Sequence, residues 1–302
     1  MNAYREIPSP MKWFVETVYM CIIAHASTKV VGLYIFVFKF DCSRRLRYVI
    51  IAVRVRGERG SLMERIMVFN HDKPEIGLYT RTTTEGEELE LVKKFIDFYC
   101  NKFIHDNKVN NLAVFVEPRV ASGFPDIVFA SYTPSILDNW SETREHLDTF
   151  DLKILSHLIM TKGCEGLHLM AALKMPEKQI LISLEKLLDA KLIYRSVGTW
   201  KPRELKNIYN IKKLVSVEAK VSDMKKVVEQ SLINTWFASQ SYALSKSSTP
   251  QNNTIQYFEN RGIGLYCKTK SFKKVVEAKR LTLPSSYLSL QFNEWIGKAN
   301  TH

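Results

Sequence analysis

Residues 213–221, KLVSVEAKV, combine an apolar strand pattern with an acid and a lysine two positions apart. Apolar and polar side chains alternate, which predicts a β-strand. Residues 222–244 follow with apolar side chains near helical spacing, so we expect a helix there. Glu218 and Lys220 are separated by one residue and therefore point to the same face of the strand.

A second predicted strand carries another acid. Residues 123–132, GFPDIVFASY, place Asp126 at the start of an apolar run. Phosphodiester cleavage uses a metal to polarise the phosphate and to lower the pKa of the attacking water, and Mg²⁺ prefers carboxylate oxygens. Asp126 and Glu218 would supply that site if their strands were adjacent, and Lys220 could orient the water or stabilise charge on the phosphate. We therefore expect residues 124–131 and 213–220 to be neighbours in one sheet.

Six predicted elements surround these residues in a definite order. They are a helix at 85–104, a strand at 111–117, the strand with Asp126, the strand with Glu218-Ala219-Lys220, the helix at 222–244 and a strand in GIGLYCKT, residues 262–269. This order resembles the PD-(D/E)XK, or restriction-endonuclease-like, superfamily over about half of the chain. The resemblance implies an α/β fold with a mixed sheet flanked by helices. It also implies a nuclease site at Asp126, Glu218 and Lys220 that uses Mg²⁺ or Mn²⁺.

The resemblance implies further site residues. Family members often add an acid from the first helix, for which Glu88 is the candidate, although a solvated first turn explains it equally well. Glu117, at the end of the next strand, is another candidate acid. A polar residue on the helix after ExK is also common, and Gln230 matches it on a face shared with Lys226 and Asn234. Ordinary helix surface is the alternative for Gln230.

Residues 146–211 fill the long gap between the two acidic strands. Three helical patterns precede two short strands, expected in LIYRSVGTWKP and NIYNI. This order resembles a winged-helix domain, inserted into the nuclease core. The candidate nucleic-acid contacts are the basic residues in and beyond the wing and one on the following helix: Arg195, Lys201, Arg203, Lys206 and Lys226. The third helix mixes charges of both signs, so a partner protein could dock there instead.

The remaining chain completes the predicted domain organisation. Residues 1–80 are expected to be a β-rich region, because VVGLYIFVFKF and LRYVIIAVRVRG read as a hairpin around DCSRR. Residues 81–145 form the first part of the nuclease core, and 212–302 form its second part with a C-terminal extension.

Composition bounds the class of protein. The chain has 302 residues and a formal net charge of +12, which favours a polyanionic partner such as DNA. Its five cysteines form no CxxC pair, which argues against a disulfide framework or a zinc site. Charged residues interrupt the apolar stretch at 17–40, so no run reaches the roughly twenty residues of a membrane span. We expect a cytoplasmic protein without membrane contact, and a homodimer stays open.

Together these features predict a metal-dependent DNA endonuclease, of the kind used in restriction, phage defence or mobile elements. The alternative is a non-catalytic DNA- or protein-binding factor with a retired nuclease core. A decoy also exists, because residues 276–279 repeat the VEAK string of residues 217–220. It comes after GIGLYCKT, too late for the family order.

Overall fold

The structure is a computed structural model and describes residues 34–42, 45–53, 65–82, 85–220 and 223–301. It divides between Glu64 and Arg65 into two units. In the first unit, strands β1 (Tyr34–Cys42) and β2 (Arg45–Val53) pair antiparallel, which confirms the predicted hairpin. The rest of the predicted β-rich region before Arg65 lies outside the described residues.

The second unit is an α/β structure built on one mixed sheet of seven strands. Its strands are β3 (Ile66–Phe69), β4 (Asn111–Val116), β5 (Ile127–Tyr132), β8 (Ile211–Lys220), β9 (Gln240–Ser245), β10 (Gly264–Lys268) and β11 (Phe272–Val276). They lie in the order β11-β10-β9-β8-β5-β4-β3. β5 pairs antiparallel with β4 and β8, while β8 and β9 are parallel. The predicted adjacency of residues 124–131 and 213–220 is therefore confirmed.

The chain between β5 and β8 contains four α-helices and a separate two-stranded hairpin. The helices of the second unit are α1 (Glu87–Asp106), α2 (Thr149–Thr161), α3 (Gly166–Leu173), α4 (Glu177–Asp189), α5 (Leu205–Ile208), α6 (Met224–Asn234), α7 (Asn252–Glu259) and α8 (Tyr287–Thr301). The hairpin consists of β6 (Ile193–Ser196) and β7 (Thr199–Pro202).

One face of the sheet packs against α1. Leu91, Val92 and Phe95 of this helix join a buried cluster with apolar side chains of β4, β5 and β8. Phe95 is fully buried and makes edge-on contacts with Tyr266 and Phe272, whose ring centroids lie 4.9 and 5.1 Å away. This packing fixes the N-terminus of α1 beside the end of β8.

The opposite face is covered by several helices. α6 and α7 pack over β9 and β10, while α8 and α2–α4 share one cluster with β4 and β5. Inside that cluster the fully buried Arg144 donates hydrogen bonds to Glu294 of α8 and to the carbonyl of Ile208. The segment predicted as an insertion therefore shares a core with the sheet, yet β5 and β8 remain adjacent.

The structure corrects several predicted elements. The helix predicted at 222–244 ends at Asn234, and residues 240–245 form β9. Apolar residues on both sides of the boundary fit the periodicity of a helix as well as that of a strand. The sequence pattern therefore predicted a helix that extends too far. β9, rather than the strand in GIGLYCKT, is thus the first strand after the helix. Both hairpin strands lie within LIYRSVGTWKP, because Val197 and Gly198 adopt positive φ and make a two-residue turn.

The C-terminal region is structured where no regular element was predicted. β11 forms a sheet edge, and α8 is buried over most of its length. Ser289, Asn293 and Glu294 of α8 are buried beside its apolar residues, so its sequence lacks a clear polar face. Among the described residues, no helix is long and apolar enough to cross a membrane.

Candidate active site

Strand register places three acids in a row across β4, β5 and β8. Val116 pairs with Ile127, and Ile127 pairs with Val217. One step further along each strand, Glu117 lies opposite Asp126 and Asp126 opposite Glu218. The Glu117 N–H donates to the Asp126 carbonyl at 3.0 Å, which extends the ladder to this level. Side chains directly opposite each other share a face of the sheet, so Asp126 and Glu218 lie on the same face. Glu117 follows the end of β4 with positive φ and is linked to Asp126 through Arg81.

Asp126 is held in place by the neighbouring strand. Its Oδ2 accepts a hydrogen bond from the Ala219 backbone N–H at 2.7 Å. Its Oδ1 lies 3.9 Å from a guanidinium nitrogen of Arg81. Burial, with the nearby Glu117 charge adding to it, raises the pKa of Asp126 to about 6, although the Ala219 hydrogen bond and the cations act in the opposite direction.

Glu218 is the most deeply buried acid of the row, with 2% of its surface exposed. Its Oε1 accepts a hydrogen bond from the Asn234 side-chain amide of α6 at 2.6 Å. Its Oε2 is buried and has no hydrogen-bond partner among the described residues. Burial and the adjacent Asp126 charge raise the pKa of Glu218 to about 8. The two carboxylates therefore disfavour each other's ionisation.

Lys220 ends β8 two residues after Glu218 and lies on the same strand face. Its Nζ donates to Glu88 Oε2 of α1 at 2.8 Å. Partial burial lowers the lysine pKa, but the Glu88 hydrogen bond and the Asp126 charge outweigh it, so the pKa of Lys220 is raised. The structure thus brings Glu88 to the lysine, where it fixes a protonated ammonium group beside the acids.

Arg81 belongs to the site although no motif indicated it. Its backbone N–H donates to the Glu117 carbonyl at 3.0 Å, and its side chain forms an ion pair with Glu117. The hydrogen bond to Glu117 raises the pKa of Arg81. Glu117, a candidate from its strand position, thus joins the row through an arginine that lies outside every helix and strand.

Helix α6 supplies the amide groups next to Glu218. Asn234 contacts the acid directly, and Gln230 lies one turn earlier on the same helix. The Gln230 Oε1 is buried without a partner among the described residues. Lys226 is exposed on this helix. The i, i+4 spacing of Gln230 and Asn234 was the available signal, but it did not distinguish which amide would reach Glu218.

Two carboxylate oxygens remain available to a cation. Asp126 Oδ1 has only the distant Arg81 as a partner, and Glu218 Oε2 has none among the described residues. Burial disfavours ionisation of both acids and raises their pKa values, so a cation bound between them would favour the ionised forms. Within the described part of the chain, no group of three or more His, Cys, Asp or Glu could hold a metal ion. The pair fits Mg²⁺, which commonly uses one or two carboxylates and keeps several waters.

The predicted nucleic-acid contacts separate into two kinds. On the hairpin, the guanidinium of Arg195 lies 5.3 Å from the centre of the Trp200 ring, and Lys201 is half-buried. Arg203 is exposed beside it. Lys206, in contrast, forms an ion pair with Glu204 at 2.6 Å. Arg195, Lys201 and Arg203 thus remain the stronger candidates for phosphate contacts.

The repeated VEAK string at 276–279 has a different environment. Glu277 follows the edge strand β11 and accepts hydrogen bonds from Gln240, Tyr242 and Lys274. Partial burial raises its pKa, but these hydrogen bonds outweigh that effect, so the pKa of Glu277 is lowered. Its oxygens are already satisfied, which sets it apart from Glu218.

The site therefore combines the buried Glu218 and the largely buried Asp126 with the ammonium group of Lys220, which Glu88 holds by a hydrogen bond. The carboxylate oxygens of Asp126 and Glu218 are ligands of the kind that Mg²⁺ prefers, and Lys220 carries a positive charge beside them. Amide and backbone donors hold one oxygen of each acid, which leaves the other to a ligand. No family model, curated protein or solved structure matches this chain.

Proposed function

We propose that the chain is a metal-dependent DNA endonuclease with a restriction-endonuclease-like core. The observation that carries this proposal is the cross-strand alignment of Asp126 with Glu218, with Lys220 two residues beyond. An Asp, an ExK segment and a following helix, in this spatial relation, are what the resemblance requires. A +12 net charge supports a polyanionic substrate.

Each residue of the site has a distinct task in this proposal. Asp126 and Glu218 would hold Mg²⁺ or Mn²⁺ through their available oxygens. When bound, the metal polarises the scissile phosphate and lowers the pKa of the attacking water. Lys220 orients that water and stabilises negative charge on the phosphate, while Glu88 positions the ammonium group. Ala219 and Asn234 fix the acids through the oxygens that do not face the ion.

The segment between the two halves of the core is proposed to be a winged-helix module that grips duplex DNA. Helices α2–α4 followed by the β6–β7 hairpin support this assignment. Arg195, Lys201 and Arg203 on or after the hairpin would contact phosphates. Such contacts position the duplex without reading its sequence.

The exposed surface of α4 supports a second candidate role for this module. Leu181 and Ile182 are about half exposed there, together with residues of both charge signs. Such a surface suits a protein partner better than DNA. A non-catalytic binding factor with a retired core remains the alternative function, and the ion pairs of Arg81 with the acids favour it, because a fixed cation could replace the metal.

Cleavage assays on supercoiled plasmid and linear DNA test the proposal. Purified protein should cut with Mg²⁺ or Mn²⁺, and chelation should abolish cutting. Asp126→Asn should remove activity, since it takes away one carboxylate of the pair. Asp138→Asn is the matched control, because Asp138 is exposed and lies outside the site. Circular dichroism should show that both variants fold.

The two functions give opposite results in this assay. If the Asp126→Asn variant cleaves DNA as the wild type does, the proposed active site is wrong. Tight DNA binding without cutting under any of the metal conditions would support the non-catalytic factor instead.

A further inference from the structure

Arg81 contacts two of the three acids in the row. Its guanidinium pairs with Glu117 and lies 3.9 Å from Asp126 Oδ1. That oxygen is also the one that Ala219 leaves free. Arg81 therefore competes for the same carboxylate oxygen that a divalent cation would use.

Arg81 lies in an outer layer over the acids. Its side chain is 54% exposed, whereas those of Glu117 and Asp126 are 13% and 14% exposed. The guanidinium lies 5.6 Å from the centre of the Phe124 ring, which is itself partly exposed. Because more than half of the Arg81 side chain is exposed, it can change rotamer without displacing buried side chains.

The contacts with the two acids differ in strength. Glu117 receives a direct hydrogen bond from Nε, while the separation from Asp126 exceeds hydrogen-bond length. The weaker contact with Asp126 can break while the hydrogen bond between Arg81 and Glu117 is kept. A guanidinium turned outward from Asp126 would still present donors at the mouth of the site, in the fork geometry that matches phosphate oxygens.

We propose that Arg81 is a displaceable counter-ion, which leaves Asp126 when a divalent cation binds and then contacts a phosphate of the DNA. This inference rests on the proposed nuclease function. It gives Arg81 two opposing effects: the residue weakens metal binding and strengthens phosphate binding. An arginine with only a structural role would produce neither of these two effects.

Calorimetric titration of the full chain with Mn²⁺ provides the first test. Arg81→Gln should bind the ion about twofold to fivefold more tightly than the wild type, because a half-exposed competing charge is removed. Arg119→Gln is the matched control, since Arg119 is exposed and forms no ion pair with the described residues. Arg81→Lys keeps the charge and should bind Mn²⁺ like the wild type.

Single-turnover cleavage at saturating Mn²⁺ provides the second test. Arg81→Gln should cut about tenfold to a hundredfold more slowly despite tighter metal binding, because a charged phosphate contact is lost. Arg119→Gln should cut at the wild-type rate. The melting temperatures of the variants establish that folding is intact.

The outcomes separate this inference from the nuclease proposal. If the wild type binds no Mn²⁺, or Asp126→Asn binds it equally well, the nuclease proposal fails. If Asp126→Asn loses the ion but Arg81→Gln matches the wild type in affinity, only the counter-ion role of Arg81 is overturned. Tighter metal binding with an unchanged cleavage rate would overturn the phosphate contact.

Discussion

Residues 217–220 and 276–279 have the same sequence, VEAK, but the fold places them in very different surroundings. The first copy ends the central strand β8, where Glu218 is almost fully buried opposite Asp126. The second copy follows the edge strand β11, where Glu277 is largely exposed and saturated with hydrogen bonds. The pKa is raised in Glu218 and lowered in Glu277.

The difference shows that the tetrapeptide carries little chemistry by itself. Among the described residues, Glu218 Oε2 has no hydrogen-bond partner, and burial beside the Asp126 carboxylate raises the pKa of Glu218. Glu277 receives donors on its oxygens and has no acid opposite it in the β10–β11 ladder. The pKa of a carboxyl rises when burial and a neighbouring negative charge outweigh the hydrogen bonds that the carboxylate accepts.

The largest expected effect is on the rate of DNA cleavage, which should distinguish Glu218 from Glu277. Glu218→Gln should lower the DNA cleavage rate by about a hundredfold to ten-thousandfold, because one of the two carboxylates proposed to hold the metal is lost. Glu277→Gln should leave the rate within about twofold of the wild type. Single-turnover cleavage of a labelled duplex measures both. The comparison breaks if Glu277→Gln is the inactive variant and Glu218→Gln is the active one.

Lys220 and Lys279, the lysines of the two VEAK copies, should also differ in their effect on DNA cleavage. Lys220→Met should slow cleavage by about a hundredfold to a thousandfold, since its ammonium group stabilises charge beside the acids. Lys279→Met, at the exposed end of the second copy, should cut normally. DNA affinity should change little in either variant. Equal loss of activity in both variants would mean that general charge, not position, matters.

The raised and lowered acid pKa values predict opposite effects on stability. The folded-state pKa of Glu218, about 8, exceeds the usual value, so the folded protein binds more protons and its stability falls as pH rises toward 8. Glu218→Gln should therefore raise the free energy of unfolding at pH 8 by about 1–3 kcal/mol, with little change at pH 4.5. Urea denaturation at the two pH values measures this difference.

Glu277 provides the matched control for stability. Its pKa is lowered, so its contribution is present above the pKa of the unfolded chain and is lost as pH falls through the folded value. Glu277→Gln should slightly destabilise the protein at pH 8. Stabilisation by both substitutions would show that the two carboxyls have similar environments after all.

The smallest expected effect separates DNA binding from cutting. Lys201→Glu and Arg203→Glu, made singly, should each lower the slope of log affinity against log salt by about one. Glu218→Gln should leave that slope unchanged, because the acid makes no phosphate contact. Fluorescence anisotropy at several salt concentrations measures the slopes. An unaltered slope in both hairpin variants would point to a protein partner for this module.

Local patterns predicted the elements that carry the site, although not all their limits. The helix predicted at 85–104 corresponds to α1, and the strand at 111–117 to β4. The end of α6 was misplaced because apolar residues continue from the helix into β9. α8 was missed because its buried face includes polar residues that make hydrogen bonds only in the folded chain.

The sequence by itself determined that Glu218 and Lys220 share a strand face, since side chains alternate along every strand. It also indicated that Asp126 lies at the start of a strand, and β5 begins one residue later, at Ile127. Only the tertiary structure decided that Asp126 faces Glu218, and that its carboxylate accepts a hydrogen bond from a residue 93 positions away. Arg81 and Asn234 likewise entered the site through contacts between separate segments. Pairing between distant strands depends on the packing of the whole sheet, and that packing leaves no local pattern in the chain.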